Sequence, residues 1–299
     1  GVITFVFNGI VLLIITSDDD ARNRHYRKYL CTLQSFSLVF DTFSDFYAPI
    51  FIVHRGLLFS DSHLAQFITF GQFLTVEIAL MCEIGFAYLA CVYYRRGVVL
   101  PRDRFFNFFG WRRMAFFVFV QAYVLIVLAV LFYFYRRSIE ASESQMPTEL
   151  MWIAKKHAYI FLPPEPNLQY ARYASDSAAA IVASITCIFI GELVWELRRG
   201  IHWMSKETRR YQQLAVRSLI LQVFITFFVQ GAIPSMVYLV PGYTMAFLQF
   251  STKMFNVGEK FDRFAAILSP LLWIVFAKHA FVGSLTILYC SPSYRRKFI

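Results

Sequence analysis

FAAILSPLLWIVFAKHAFVGSLTILY, residues 264–289, is an apolar run of 26 residues in which Lys278 is the one Lys or Arg and His279 stands beside it. About 20 apolar residues suffice to cross a bilayer as a helix. The run shows no alternation of apolar and polar residues, so it reads as a helix rather than a barrel strand. A cation at the centre of such a helix costs on the order of 2.5–3.5 kcal/mol on insertion scales, so it faces a bundle interior and takes a partner or a task.

Six further windows of the same character lie at 1–16, 29–53, 65–93, 114–135, 177–197 and 218–240. The chain is 58% hydrophobic and only 16% charged, and its mean hydropathy is +0.52. That composition is far to the apolar side of a soluble domain and places the chain among integral membrane proteins. The first window is short of a full span, so the first helix is expected to begin ahead of Gly1. It has neither a basic leader nor a small-residue cleavage site, and it does not read as a signal peptide. The five cysteines form no CxxC pair, so neither a disulfide framework nor a zinc site is expected.

The net charge of +10 would suggest nucleic acid in a soluble protein, but its distribution points elsewhere. Nineteen of the 29 Lys and Arg residues lie in 17–28, 94–113, 198–217 and the tail, against nine in 54–64, 136–176 and 241–263. Cationic connections stay cytoplasmic, which puts the tail inside and the amino terminus outside. The expected fold is therefore an all-α membrane protein, a single domain over 1–299 forming a seven-transmembrane-helix bundle of the G-protein-coupled-receptor type. The basic ends face an anionic lipid leaflet, and no nucleic-acid partner is expected.

Several motifs share an order and spacing on these windows. MSKETRRYQQLAVRSLILQVF (204–224) and GAIPS (231–235) supply Ser205, Thr208, Gln212 or Gln213, Gln222 and Pro234. His279 stands fifteen residues before the pair Tyr294-Arg295, and LVFDTFSDFYAPI (38–50) carries Asp41 and Pro49. In these features the chain resembles the nematode serpentine chemoreceptors of the Str superfamily, most closely the Srh and Sri families. The resemblance spans essentially 29–297. It departs at Thr226, where the family usually has Pro, and at Ala280, where Gly is common; the kink is accordingly placed at Pro234.

The resemblance implies a chemosensory receptor in the plasma membrane of sensory neurons or cilia. Such a receptor binds a small odorant or other chemical cue and activates a heterotrimeric G protein. Rhodopsin-like microswitches do not carry over, because the seventh window lacks NPxxY and the third ends in VYYRRG (92–97) rather than DRY. The 136–176 connection holds no cysteine and cannot be stapled to the third helix by a disulfide.

Counting from the cytoplasmic window edges puts Asp41 twelve residues from Tyr29, Glu83 ten from Tyr93 and Lys278 eleven from Tyr289. At about 1.5 Å per residue these groups share a level, so Asp41, Glu83, Lys278 and His279 form a candidate intramembrane polar cluster, with Asp41 or Glu83 as partner to Lys278. Three roles are open to Lys278: an ion pair that sets helix register, a ligand-operated switch, or a retinal Schiff base as in opsins, with Glu77 or Glu83 as counterion. His279 points about 100° away and reads as a packing residue.

The ligand cavity is expected between the outer halves of spans three, five, six and seven, with Gln72, Glu77, Gln230, Tyr238 and Trp273 as lining residues. Arg95, Arg96, Arg209, Arg210 and Arg295 are expected to border the cleft that meets a G protein. No nucleophile elbow, phosphate loop or metal-ligand cluster occurs, so neither an enzyme, a cofactor nor a metal is expected. A channel or transporter is the remaining alternative, though no internal repeat supports it.

Overall fold

The computed structural model describes residues 2–17, 24–52, 57–100, 111–142, 153, 159–161, 166–199, 205–226, 278–290 and 294. Among them are seven α-helices: α1 (Val2–Thr16), α2 (Arg24–Tyr47), α3 (Phe70–Val99), α4 (Trp111–Ser142), α5 (Pro166–Arg199), α6 (Lys206–Thr226) and α7 (His279–Cys290). The expected kink residue Pro234 lies outside the described residues.

The helix ends follow from local chemistry. Thr69 and Gln72 form a reciprocal capping box on α3: Thr69 Oγ1 accepts from the Gln72 N–H at 3.3 Å and Gln72 Oε1 accepts from the Thr69 N–H at 3.0 Å. This satisfies two of the donors that a helix start leaves orphaned. At its other end α3 stops where Leu100, forced out of the helical region by Pro101, turns extended. Pro166 opens α5, a position where its missing N–H costs nothing. Ser205 caps α6, its Oγ accepting from the Thr208 N–H at 3.2 Å.

The second apolar window was expected to be helical through residue 53, but α2 ends at Tyr47. Ala48 takes a positive φ of 46° and Pro49 starts a strand, because proline can neither donate to the preceding turn nor tolerate a helical neighbour before it. The strands β1 (Pro49–Ile52) and β2 (Leu57–Ser60) form a hairpin, and β3 (Tyr159–Phe161) joins it antiparallel in the order β1-β2-β3. Leu57, Leu58 and Phe59 lie opposite Phe161, Ile160 and Tyr159. Backbone pairing thus ties the α4–α5 connection to the α2–α3 corner without a disulfide. That corner is firm: the Tyr47 ring stacks on Phe73 at 3.9 Å, its hydroxyl donates to Ile68 O, and Ser60 Oγ donates to Tyr47 O.

Helix α3 is central, packing on α2, α4, α5 and α6. Helix α7 packs on α6, α1 and α2 and closes the ring. The core is apolar but takes in many polar groups, and large apolar side chains cover much of the outside. Asn8, Ser284 and Arg96 are each 0% exposed, whereas Ile3 is 82% and Phe119 72% exposed. Such a surface suits lipid, and the interior polar groups then find partners across helices. Phe70–Val99, Trp111–Val130 and Ala180–Arg199 are each long and apolar enough to cross a membrane by length and composition.

Candidate functional site

Among the described residues, most of the polar contacts between helices gather in three layers of the bundle. The first joins α1, α2 and α7. Ser284 Oγ donates to Asn8 Oδ1 at 2.7 Å and accepts from Gln34 Nε2 at 2.5 Å. All three side chains are buried, so Ser284 is the hub by which α7 holds both neighbours.

The second layer lies toward the far end of α2, where consecutive residues reach different helices. Ser44 Oγ donates to Glu77 Oε1 on α3 at 2.6 Å. Asp45 receives both contacts of Lys278 Nζ, at 2.6 and 2.5 Å, just ahead of α7. The expected pairing of Lys278 with Asp41 or Glu83 is therefore corrected to Asp45. The window edges were a poor datum for depth: α2 begins at Arg24 rather than Tyr29, and α3 runs to Val99 rather than Tyr93. Asp45 lies one turn beyond Asp41 on the same face of α2, since residues four apart are neighbours on a helix.

Glu83 belongs elsewhere, accepting from Gln121 Nε2 of α4 at 2.6 Å. Asp41 is 1% exposed and close enough to Glu77 to interact with it electrostatically. The expected cluster is thus divided among three helix interfaces. Of His279, the first residue of α7, the side chain lies outside the described residues.

The third layer is at the opposite, arginine-rich end. Arg96 is buried and its Nε donates to Glu192 Oε2 of α5 at 2.7 Å, with its guanidinium 5.0 Å from the Phe189 ring. Arg95 turns the other way. Its Nη1 donates to Gln212 Oε1 of α6 at 3.2 Å, and its guanidinium sits 3.6 Å over the Tyr26 ring of α2. Arg209 uses its guanidinium on the carbonyls of Leu197 and Arg198, capping the carboxy end of α5.

These positions change the expected surface. Arg95 and Arg96, expected to face a G protein, are interior and hold α3 to its neighbours, because a guanidinium buried among aromatic rings with an acceptor in reach is better placed than one left half-solvated. Arg210 is exposed, and Arg295 lies outside the described residues. Gln72, expected to line a ligand cavity, is exposed and spent on the α3 cap, since its position three residues after Thr69 makes it the capping partner. Glu77 is buried against α2, and Gln230, Tyr238 and Trp273 lie outside the described residues.

Sequence reasoning missed Asn8, Gln34, Ser44, Asp45 and Ser284 as partners. The available signal was their residue type, since each is a polar side chain inside an apolar window and needs an internal acceptor or donor.

Over residues 1–299 the chain matches the family described as serpentine type 7TM GPCR chemoreceptor Srh. No curated protein matches it.

Proposed function

Because the chain belongs to the Srh family of serpentine seven-transmembrane chemoreceptors, we propose that it binds a small chemical cue on the face opposite the arginine layer and activates a heterotrimeric G protein at the arginine-rich end. The clustering of Lys and Arg on alternate connections supports placing that end in the cytosol and the amino terminus outside. Residence in the plasma membrane of sensory neurons or cilia follows the same reading.

The observation that carries the mechanism is the unequal grip of two adjacent arginines. Arg96 binds a carboxylate of α5, whereas Arg95 binds the neutral amide of Gln212 at the longer distance of 3.2 Å. Opposite full charges attract across the Arg96–Glu192 contact, whereas in the Arg95–Gln212 contact the donor alone is charged, so α3 and α5 stay together while the α3–α6 seam gives way. A cue that binds the parted state more tightly shifts the population toward it, and the opened seam admits the G protein.

Gln212→Leu tests this reading. Losing a hydrogen bond to a charged group costs about 1.5 kcal/mol, and the loss falls on the closed state alone, which moves the equilibrium by about tenfold. Ligand-free G-protein activation, normalised to surface receptor, is expected to rise several-fold. Basal signalling at or below the wild-type level would contradict the proposed seam. A parallel screen of volatile and soluble cues in the same assay tests receptor activity itself.

A further inference from the structure

The Lys278–Asp45 pair differs from the Arg96–Glu192 pair in how its access is shared. Both of its side chains are part-exposed, at 27% and 22%, whereas in the Arg96–Glu192 pair the cation is fully buried and the carboxylate 37% exposed. Because both partners keep some access, Lys278 can leave Asp45 without stranding either charge in a fully dry interior, where an unpaired charge is costly. The pair is reachable, and it bridges α2 and α7 beside the Ser44–Glu77 contact between α2 and α3.

Among the described residues at this end of α2 and the facing part of α3, acidic side chains outnumber cations: Asp41, Asp45 and Glu77 stand against Lys278. Glu77 is 2% exposed; its Oε1 accepts from Ser44, but its Oε2 has no hydrogen-bond partner among the described residues. An ammonium brings three donors and no acceptor, whereas a carboxylate brings acceptors alone. A cationic cue relieves this imbalance, and an anionic one deepens it.

We propose that Asp45 anchors the cationic head of a small amine cue and that Lys278 occupies that anchor in the ligand-free receptor. This rests on the receptor reading above and names the chemical class of its ligand. Displacing Lys278 frees α7 from α2 at this level, which couples occupancy to a helix contact.

The test uses matched series in the G-protein assay: butylamine, butanoate and butanol, then phenethylamine, phenylacetate and phenylethanol. Amines are expected to be the active members. Lys278→Met, which removes the resident competitor, is expected to lower their half-maximal concentration by about three- to tenfold. Asp45→Asn is expected to raise it by at least about tenfold. Activity confined to acids or alcohols, or amine potency indifferent to Asp45→Asn, overturns the proposal while leaving the receptor reading intact.

If no member of either series activates a G protein, a binding measurement on purified Lys278→Ala protein decides the proposal separately. Butylamine, and not butanoate, is expected to raise its melting temperature, and the effect is expected to vanish in Lys278→Ala/Asp45→Asn. Equal effects of amine and acid would overturn the anchor.

Discussion

Arg96→Met is expected to strip most of the receptor from the cell surface, with surface abundance falling by several-fold or more. The guanidinium is fully buried, paired at 2.7 Å with Glu192 and placed over Phe189. Removing one partner of a buried pair costs about 3–5 kcal/mol, and the lower end applies here because Glu192 is 37% exposed and partly hydrates when abandoned. Even about 3 kcal/mol is a large part of a typical total stability of roughly 5–15 kcal/mol. Arg96→Met with Glu192→Leu is expected to recover most of the surface signal, since the double change leaves no stranded charge. Arg210→Met, at an exposed position of the same end, is expected to change little. Normal surface abundance of the Arg96→Met single variant would show that the α3–α5 clamp does not support the fold.

Ser284→Val is expected to lower the melting temperature of the purified protein by about 5–10 °C. Valine can neither donate to Asn8 nor accept from Gln34, and Ser284→Ala, which removes the hydroxyl without adding bulk to the fully buried site, is expected to show most of the same shift. Each of those buried groups then loses a partner at about 1–3 kcal/mol, and three helices lose their common tie. Leu285→Ala, one residue on but 45% exposed on the apolar surface, serves as the control and is expected to shift melting far less. A Ser284→Val shift no larger than that of Leu285→Ala would mean that packing, and not the hydrogen-bonded hub, holds α7 in place.

The class of fold was legible because lipid imposes a coarse rule. Uninterrupted apolar windows mark helices, and the lysines and arginines sort by side. The Ser205 cap was readable for a similar reason, since it depends on a local spacing. The strands were not: residues 48–53 continue the apolar run of α2, and only the coupling of Ala48 and Pro49 separates strand from helix. The α4–α5 connection looked untethered because a missing cysteine says nothing about backbone pairing.

Interior partners were legible in kind and not in identity. That Lys278 needs a carboxylate follows from the cost of a lone cation in lipid. Asp41 and Asp45, however, share a face of α2, and the choice between them depends on where α7 sits against it. Arg95 and Arg96 were hidden by their own abundance. In a basic segment at a membrane edge, arginine reads as a topology signal, and the aromatic rings and acceptors that draw these two inward come from α2, α5 and α6.

The central claim is that seven helices cross the membrane with the arginine layer at the cytosolic end, and epitope accessibility on intact cells tests it directly. A tag after Ile299 and a tag between 198 and 205 are expected to stain only after permeabilisation, while a tag between 54 and 57 stains without it. Staining of the carboxy-terminal tag on intact cells would contradict the orientation and, with it, the receptor mechanism built on that end.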